Sequence, residues 1–101
     1  MGKKILLIDD DEIVLESLSR LLESQGYRVE RAKNGFQAIE KAQSEDFHLV
    51  ISDIRMPGMD GIELIQRLRE ITRERGGKEI PEILITGYTD ENSYLKALKL
   101  K

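Results

Sequence analysis

The fold is decided by the stretch Leu49-Val50-Ile51-Ser52-Asp53-Ile54-Arg55-Met56-Pro57-Gly58-Met59-Asp60-Gly61. Its apolar beginning predicts a buried strand over 49–52, which leads into Asp53, where a loop with proline and glycine starts. An earlier apolar run, Ile5-Leu6-Leu7-Ile8, ends in the same way at Asp9-Asp10-Asp11. If these strands are parallel and adjacent, their carboxyl ends place Asp9, Asp10 and Asp53 in the crevice where open α/β sheets bind ligands.

Strand and helix patterns alternate along the remainder of the chain. Helices are predicted over 12–25, 34–44 and 60–75, with a fourth from residue 90, and further strands over 27–32 and 83–85. The expected N-terminal caps of the first three helices are Asp10 or Asp11, Asn34 and Asp60. In the first two helices the apolar positions expected to supply the core are Val14, Leu18, Leu21 and Leu22, then Phe36, Ala38, Ile39 and Ala42. This alternation predicts a parallel sheet with right-handed crossovers, built from four strand-helix units.

Composition narrows the class of protein. The 101 residues are 40% hydrophobic and 35% charged, which fits one small soluble domain covering 1–101. The absence of cysteine suits a reducing compartment, so we expect a cytoplasmic protein. The apolar run near the N-terminus is too short for a signal peptide or a membrane span. The net charge of −3, with both signs interspersed, does not favour nucleic-acid binding.

The strand-end carboxylates favour a metal site. Crowded acids repel one another, and a divalent cation removes that repulsion. Mg²⁺ prefers hard oxygen ligands and is often held by one or two carboxylates together with a phosphate oxygen. A carboxylate beside such a metal can attack phosphorus, so Asp53, alone at its strand end, is the natural nucleophile for forming an aspartyl phosphate. Thr86, directly after the 83–85 strand, carries a hydroxyl that could donate a hydrogen bond to the phosphate.

These residues carry a family resemblance. Ile8-Asp9-Asp10-Asp11, Asp53 with the loop Met56-Pro57-Gly58-Met59-Asp60-Gly61, and Ile85-Thr86-Gly87 resemble the receiver domain of two-component response regulators. The resemblance implies a flavodoxin-like α/β fold, a three-layer sandwich around a parallel sheet of order 2-1-3-4-5. The four strand-helix units of this chain correspond to the order 2-1-3-4.

The resemblance also implies roles for the site residues. Asp9, Asp10 and Asp53 would bind Mg²⁺, and the backbone carbonyl of Arg55 would complete the metal site. Asp53 would accept a phosphoryl group from a sensor histidine kinase or a phosphotransfer protein, and Thr86 would contact the phosphate. Such a domain is a phosphorylation switch and not an enzyme with an external substrate. Arg55 and Tyr88 resemble the positions that tune the lifetime of the phosphate.

The end of the chain departs from the family pattern. Family members continue with a fifth strand that carries a lysine, a switch aromatic and a fifth helix, and this sequence stops before them. The expectation is a C-terminally truncated receiver in which phosphorylation is slow or absent, because no lysine pairs with the phosphate. The 83–85 strand would then be a bare edge, so we expect a homodimer, an oligomer formed by exchange of elements, or aggregation.

Two alternatives remain at this point. A phosphatase of the haloacid dehalogenase type also uses Asp-x-Asp after its first strand, which Asp9 and Asp11 would supply. A structural or interaction module would retain Asp9, Asp10 and Asp11 without a metal, as a solvated acidic cap on the first helix. With a metal site as well, Asp11 is expected to serve only as a helix cap. His48 has no second histidine or cysteine near it and is assigned no role. The arginines of the third helix are interpreted as a solvated ion-pair face.

Overall fold

The computed structural model describes residues 2–85, in which strands and helices alternate. The strands are β1 (Lys4–Ile8), β2 (Arg28–Ala32), β3 (Leu49–Asp53) and β4 (Glu82–Ile85). The helices are α1 (Glu12–Ser24), α2 (Gly35–Ser44) and α3 (Gly61–Glu74). Thr86, Tyr88 and the predicted fourth helix lie outside the described residues. Within 2–85 no helix has the length and apolar character that crossing a bilayer requires.

The strands form one parallel sheet in the order β2-β1-β3-β4. β1 lies in its interior, where Ile8 pairs with Ala32 of β2 on one side and with Ser52 of β3 on the other. The apolar run of β1 is buried on both faces of the sheet, as expected for an interior parallel strand. The predicted order 2-1-3-4 is therefore confirmed.

Two apolar clusters lie on opposite faces of the sheet and make the fold a three-layer sandwich. Alternate strand residues supply the two faces, so Leu6 and Ile8 join one cluster while Ile5 and Leu7 join the other. The larger cluster packs under α2 and α3, and the smaller one packs under α1. The site described below lies at the carboxyl edge of the sheet between these layers.

Short polar side chains begin all three helices found within residues 2–85. Asp11 Oδ1 accepts hydrogen bonds from the backbone N–H groups of Ile13 and Val14 at the start of α1. Asn34 accepts from Gln37 N–H at 2.8 Å, and Asp60 accepts from Glu63 N–H at 2.8 Å. These bonds satisfy donors that the first helical turn leaves unpaired, and they confirm the predicted caps.

Two apolar residues predicted to supply the core are exposed. Leu21 of α1 is 58% exposed and Phe36 of α2 is 62% exposed. In α1 the fully buried residues are Leu15 and Ser19, and Leu18 and Leu22 pack against the same apolar cluster as predicted. The prediction was wrong for Leu21 and Phe36 because an apolar stripe is about 100° wide or more, so residues at its border can face solvent.

Candidate metal centre

Three carboxylates meet at the carboxyl ends of β1 and β3. Because Ile8 pairs with Ser52, the residues that follow them, Asp9 and Asp53, are neighbours at the same edge of the sheet. One oxygen from each of Asp9, Asp10 and Asp53 lies within 4.8 Å of the other two. The structure thus brings together the three side chains that the sequence predicted to share a crevice.

Asp9 is the most buried of the three, with 4% of its surface exposed. Its backbone N–H donates to the Ala32 carbonyl at 3.1 Å, which continues the pairing between β1 and β2 by one residue. Its Oδ1 accepts from the backbone N–H of Asp11 at 2.9 Å. These two bonds hold the carboxylate at the floor of the crevice, while Asp10 is exposed at its opening.

Asp53 is half-buried where β3 gives way to the following loop. Its Oδ1 accepts a hydrogen bond from the Arg55 backbone N–H at 3.3 Å. This turn back onto its own loop is typical of aspartate before a tight turn, and it orients the carboxylate toward the crevice edge. The turn-forming use of Asp53 and its place in the acidic cluster therefore coexist.

Burial raises the pKa values of both inner carboxyls. For Asp9 desolvation is the main cause, and the negative charges of Asp53 and Asp10 add to it, while the hydrogen bond from Asp11 N–H opposes it. The pKa of Asp53 is also raised mainly by desolvation, and then by Asp10, against the lowering effect of the Arg55 N–H. A cation among these oxygens would reverse the electrostatic part of both shifts.

The donor set fits a hard divalent cation. All three side chains offer carboxylate oxygens, which Mg²⁺ prefers, and the exposed Asp10 leaves one side of the cluster open to water. The receiver domains that this sequence resembles bind Mg²⁺ at an acidic site. Within the described part of the chain, only Asp9, Asp10 and Asp53 bring three ligand oxygens close enough together to hold one metal ion.

Asp11 does not take part in the cluster. Its side chain is exposed and caps α1, so its carboxylate is engaged with backbone N–H groups. The Asp9-x-Asp11 pair that a haloacid dehalogenase type of phosphatase would need is therefore not gathered at the crevice. The geometry favours the pairing of Asp9 and Asp10 with Asp53.

Three further residues that the sequence analysis discussed are Arg55, Thr86 and His48. Arg55 lies in the loop directly after Asp53, between Ile54 and Met56, which are both buried. Thr86 lies outside the described residues, and it follows Ile85, which pairs with Asp53 in the sheet. His48 exchanges two hydrogen bonds with the Lys4 backbone at the amino ends of β1 and β3, on the opposite edge of the sheet from the carboxylates.

Sequence reasoning missed the close backbone contacts around the site. Gly61 begins α3 directly against the carbonyl group of Asp53, and Gly35 begins α2 against Met59. Both glycines directly follow a helix cap, and neither has a positive φ that would require glycine. The sequence signal was present, but it did not distinguish a glycine needed for close packing from an ordinary one.

Comparison with known proteins places the chain in one family. The family model for the response regulator receiver domain matches residues 5–101. The response regulator receiver protein CpdR of Brucella abortus is 42% identical over 86 residues, which cover 85% of this chain and 68% of that protein. Three other curated relatives are longer, and the chain spans 20%, 40% and 10% of their lengths.

Solved structures show the same fold. A CheY-like response regulator receiver domain from Methanospirillum hungatei superposes with a TM-score of 0.82 at 33% identity, over 98% of this chain and 75% of that one. A response regulator from Burkholderia pseudomallei superposes with a TM-score of 0.82 at 30% identity, over 97% of this chain and 55% of that one. That structure holds a phosphorylated aspartic acid and a calcium ion.

Proposed function

The chain belongs to the response regulator receiver domain family, and from this we propose that Asp53 is the residue that accepts a phosphoryl group in two-component signalling. Receiver domains receive phosphate from histidine kinases or phosphotransfer proteins. We infer that a phosphohistidine of one of these partners is the donor. The chain is then a signalling module that modifies itself, without an external substrate to turn over.

One observation carries the proposal. The ligand oxygens of Asp9, Asp10 and Asp53 lie within 4.8 Å of one another at the ends of two neighbouring parallel strands. Three carboxylates this close repel one another. The pKa values of Asp9 and Asp53 are raised mainly by burial, and this repulsion adds to the shift. We infer that a cation bound among these oxygens offsets the repulsion, and that a phosphate group binds beside the cation.

Each residue has an assigned task in the transfer. A carboxylate oxygen of Asp53 forms a bond to phosphorus as the bond from phosphorus to the histidine nitrogen breaks, and the nitrogen keeps the electron pair of that bond. The Arg55 N–H holds one carboxylate oxygen at 3.3 Å and so restricts the orientation of the nucleophile. Thr86 is assigned to the phosphate because it follows Ile85, the strand partner of Asp53.

The metal ligands are assigned to the same crevice. Asp9 and Asp10 would hold Mg²⁺ together with Asp53, and we add the Arg55 backbone carbonyl to this set. When bound, Mg²⁺ would neutralise negative charge on the group being transferred. The buried Asp9 is held by the N–H of Asp11, so it needs little rearrangement to serve as a ligand.

Intact-mass measurement after incubation with acetyl phosphate and Mg²⁺ tests the proposal. We expect a fraction of the wild type, which grows slowly over the incubation, to gain the mass of one phosphoryl group, and we expect no gain for Asp53→Asn or in the presence of EDTA. Asp11→Asn is the matched control, because asparagine caps a helix as well as aspartate and the site keeps its three carboxylates. Equal labelling of the wild type and Asp53→Asn would overturn the assignment of Asp53.

The same proteins separate the alternatives. Catalytic turnover of a phosphomonoester that is lost in both Asp9→Asn and Asp11→Asn would favour the phosphatase. Failure of the wild type to bind Mg²⁺ or a beryllofluoride phosphate mimic would favour an interaction module with an inactive acidic site. The receiver predicts binding of both and labelling that depends on Asp53.

A further inference from the structure

The loop between β3 and α3, residues 54–60, is anchored in the core on both sides of Arg55. Ile54 and Met56 are buried, and Met59 is 1% exposed. Met56 and Met59 both belong to the larger apolar cluster under α2 and α3. Three side chains therefore attach the loop after Asp53 to the core, although Arg55, Pro57 and Gly58 are exposed.

Helix α3 begins directly on the backbone of Asp53. Gly61 is buried, and a Cβ atom at this position would overlap the Asp53 carbonyl oxygen and lie 3.0 Å from both the Asp53 carbonyl carbon and the Ile54 Cα atom. The Gly61 N–H donates to the Ile54 carbonyl at 2.7 Å, which closes the loop. The neighbours are backbone atoms, so a side chain at 61 could be accommodated only by moving the chain that carries Asp53.

Helix α2 contacts the same loop from another side. At Gly35, the first residue of α2, a Cβ atom would lie 2.7 Å from Met59 Sδ and 3.1 Å from both Met59 Cβ and Cγ. The Sδ atom could swing away, but Cβ is fixed to the backbone of the loop. Next to Gly35, the Phe36 ring lies 3.4 Å from where a Cβ of Gly58 would be. A larger residue at 35 would therefore displace the loop through Met59.

We propose that Gly35 and Gly61 are positioning residues for the Asp53 site, which by their missing side chains let two helix starts clamp loop 54–60. The clamp sets the direction of the Asp53 carboxylate and the place of the Arg55 backbone, whose N–H donates to that carboxylate. This inference rests on the proposed function of Asp53 as phosphoacceptor. It assigns one task to Gly61, the first residue of α3, and to Gly35, the first residue of α2.

Gly35→Ala is the first test, because alanine favours helix formation over glycine and so does not weaken α2 by itself. We expect roughly tenfold weaker Mg²⁺ binding by titration calorimetry, the low end of what disturbing the supporting shell of a metal site causes. Amide resonances of Asp53 and Arg55 should shift in the metal-free protein. Gly61→Ala should weaken Mg²⁺ binding further, and if it does not fold, the Gly35→Ala result decides.

Two control variants distinguish positioning from general stability. At Gly77, after α3, a Cβ atom would make only contacts of 3.4 Å or more with Thr72, so Gly77→Ala should bind Mg²⁺ like the wild type. Ile5→Val lowers stability from a buried position near the amino end of β1, and it should also keep its Mg²⁺ affinity.

The possible results separate the two proposals. A folded Gly35→Ala that binds Mg²⁺ as tightly as the wild type would overturn the clamp. Mg²⁺ affinity that falls equally in Ile5→Val would overturn it too, because binding would then follow stability alone. A wild type that binds no Mg²⁺ would instead overturn the function assigned to the Asp53 site, and the clamp with it. Weaker binding in Gly35→Ala with unchanged controls supports the clamp.

Discussion

Ser19 occupies a place in α1 that an apolar side chain would fill. It lies one turn after Leu15 on the buried face of the helix, and it has no exposed surface. Its hydroxyl is the buried side-chain group that has no hydrogen-bond partner in the described part of the protein. A buried hydroxyl without a partner loses its bonds to water and gains none in return.

Replacing Ser19 with alanine should therefore stabilise the protein. We expect the free energy of unfolding to rise by about 1 kcal/mol, because the unpaired hydroxyl is removed and alanine is the better helix former. Urea denaturation followed by circular dichroism measures the change. Ser17→Ala is the matched control on the exposed side of α1 and should gain only the smaller helix-propensity part. A less stable Ser19→Ala would mean that the hydroxyl has a partner in solution.

At the scale of elements, an ion pair joins α3 to β4. Arg69 donates from Nε and Nη2 to the two carboxylate oxygens of Glu82, at 2.9 and 2.6 Å. The Glu82 side chain is 15% exposed, and the pair raises the pKa of Arg69. This two-pronged geometry holds a helix against an outer strand of the described sheet, whereas the sequence pattern placed Arg69 on a solvated face of its own helix.

Glu82→Gln tests this connection. Glutamine keeps the size of the side chain but removes the charge and one acceptor, so we expect a loss of about 1 kcal/mol of unfolding free energy. The matched control is Glu16→Gln, which removes the exposed Glu16–Arg20 pair within α1 and should change stability by less than about 0.5 kcal/mol. Equal losses of stability for the two substitutions in thermal or urea unfolding would show that the Arg69–Glu82 pair stabilises the protein no more than an exposed ion pair does.

At the scale of the whole molecule, the acidic site lowers the stability of the metal-free fold. Asp9 and Asp53 both have raised pKa values, so the folded protein binds their protons more tightly than the unfolded chain does. The destabilising effect is therefore complete at neutral pH and fades as the pH falls through these raised pKa values toward the usual carboxyl range near 4. A bound cation acts in the same direction as protonation.

Asp53→Asn should thus be more stable than the wild type in EDTA. Unit charges about 4 Å apart repel by about 1 kcal/mol even with the screening of water, which corresponds to about 4–8 °C in unfolding temperature for a domain of this size. The difference should be largest at pH 7 and shrink toward pH 4. Mg²⁺ should raise the unfolding temperature of the wild type more than that of Asp53→Asn. An Asp53→Asn protein that melts lower than the wild type in EDTA would contradict this reasoning.

Much of the architecture was predictable because it depends on local patterns. The unbroken apolar runs at 5–8 and 49–51 predict interior parallel strands, and both are found in the middle of the described sheet. The helix caps at Asn34 and Asp60 follow from short-range chemistry between residues three apart. Leu21 and Phe36 were misplaced, since periodicity shows that a helix has an apolar face but not which residues at the border of that face are exposed to solvent.

The sequence by itself determined that Asp9, Asp10 and Asp53 follow the ends of two apolar strands, which share one edge of the sheet if the strands are parallel neighbours. Only the tertiary structure decided which contacts between elements hold that edge of the sheet and its loop in place. The contact of Gly61 with the Asp53 carbonyl, the approach of Gly35 to Met59 and the Arg69–Glu82 pair join separate elements of the fold. Such contacts depend on how helices pack on a finished sheet, and no pattern within a single element contains that information.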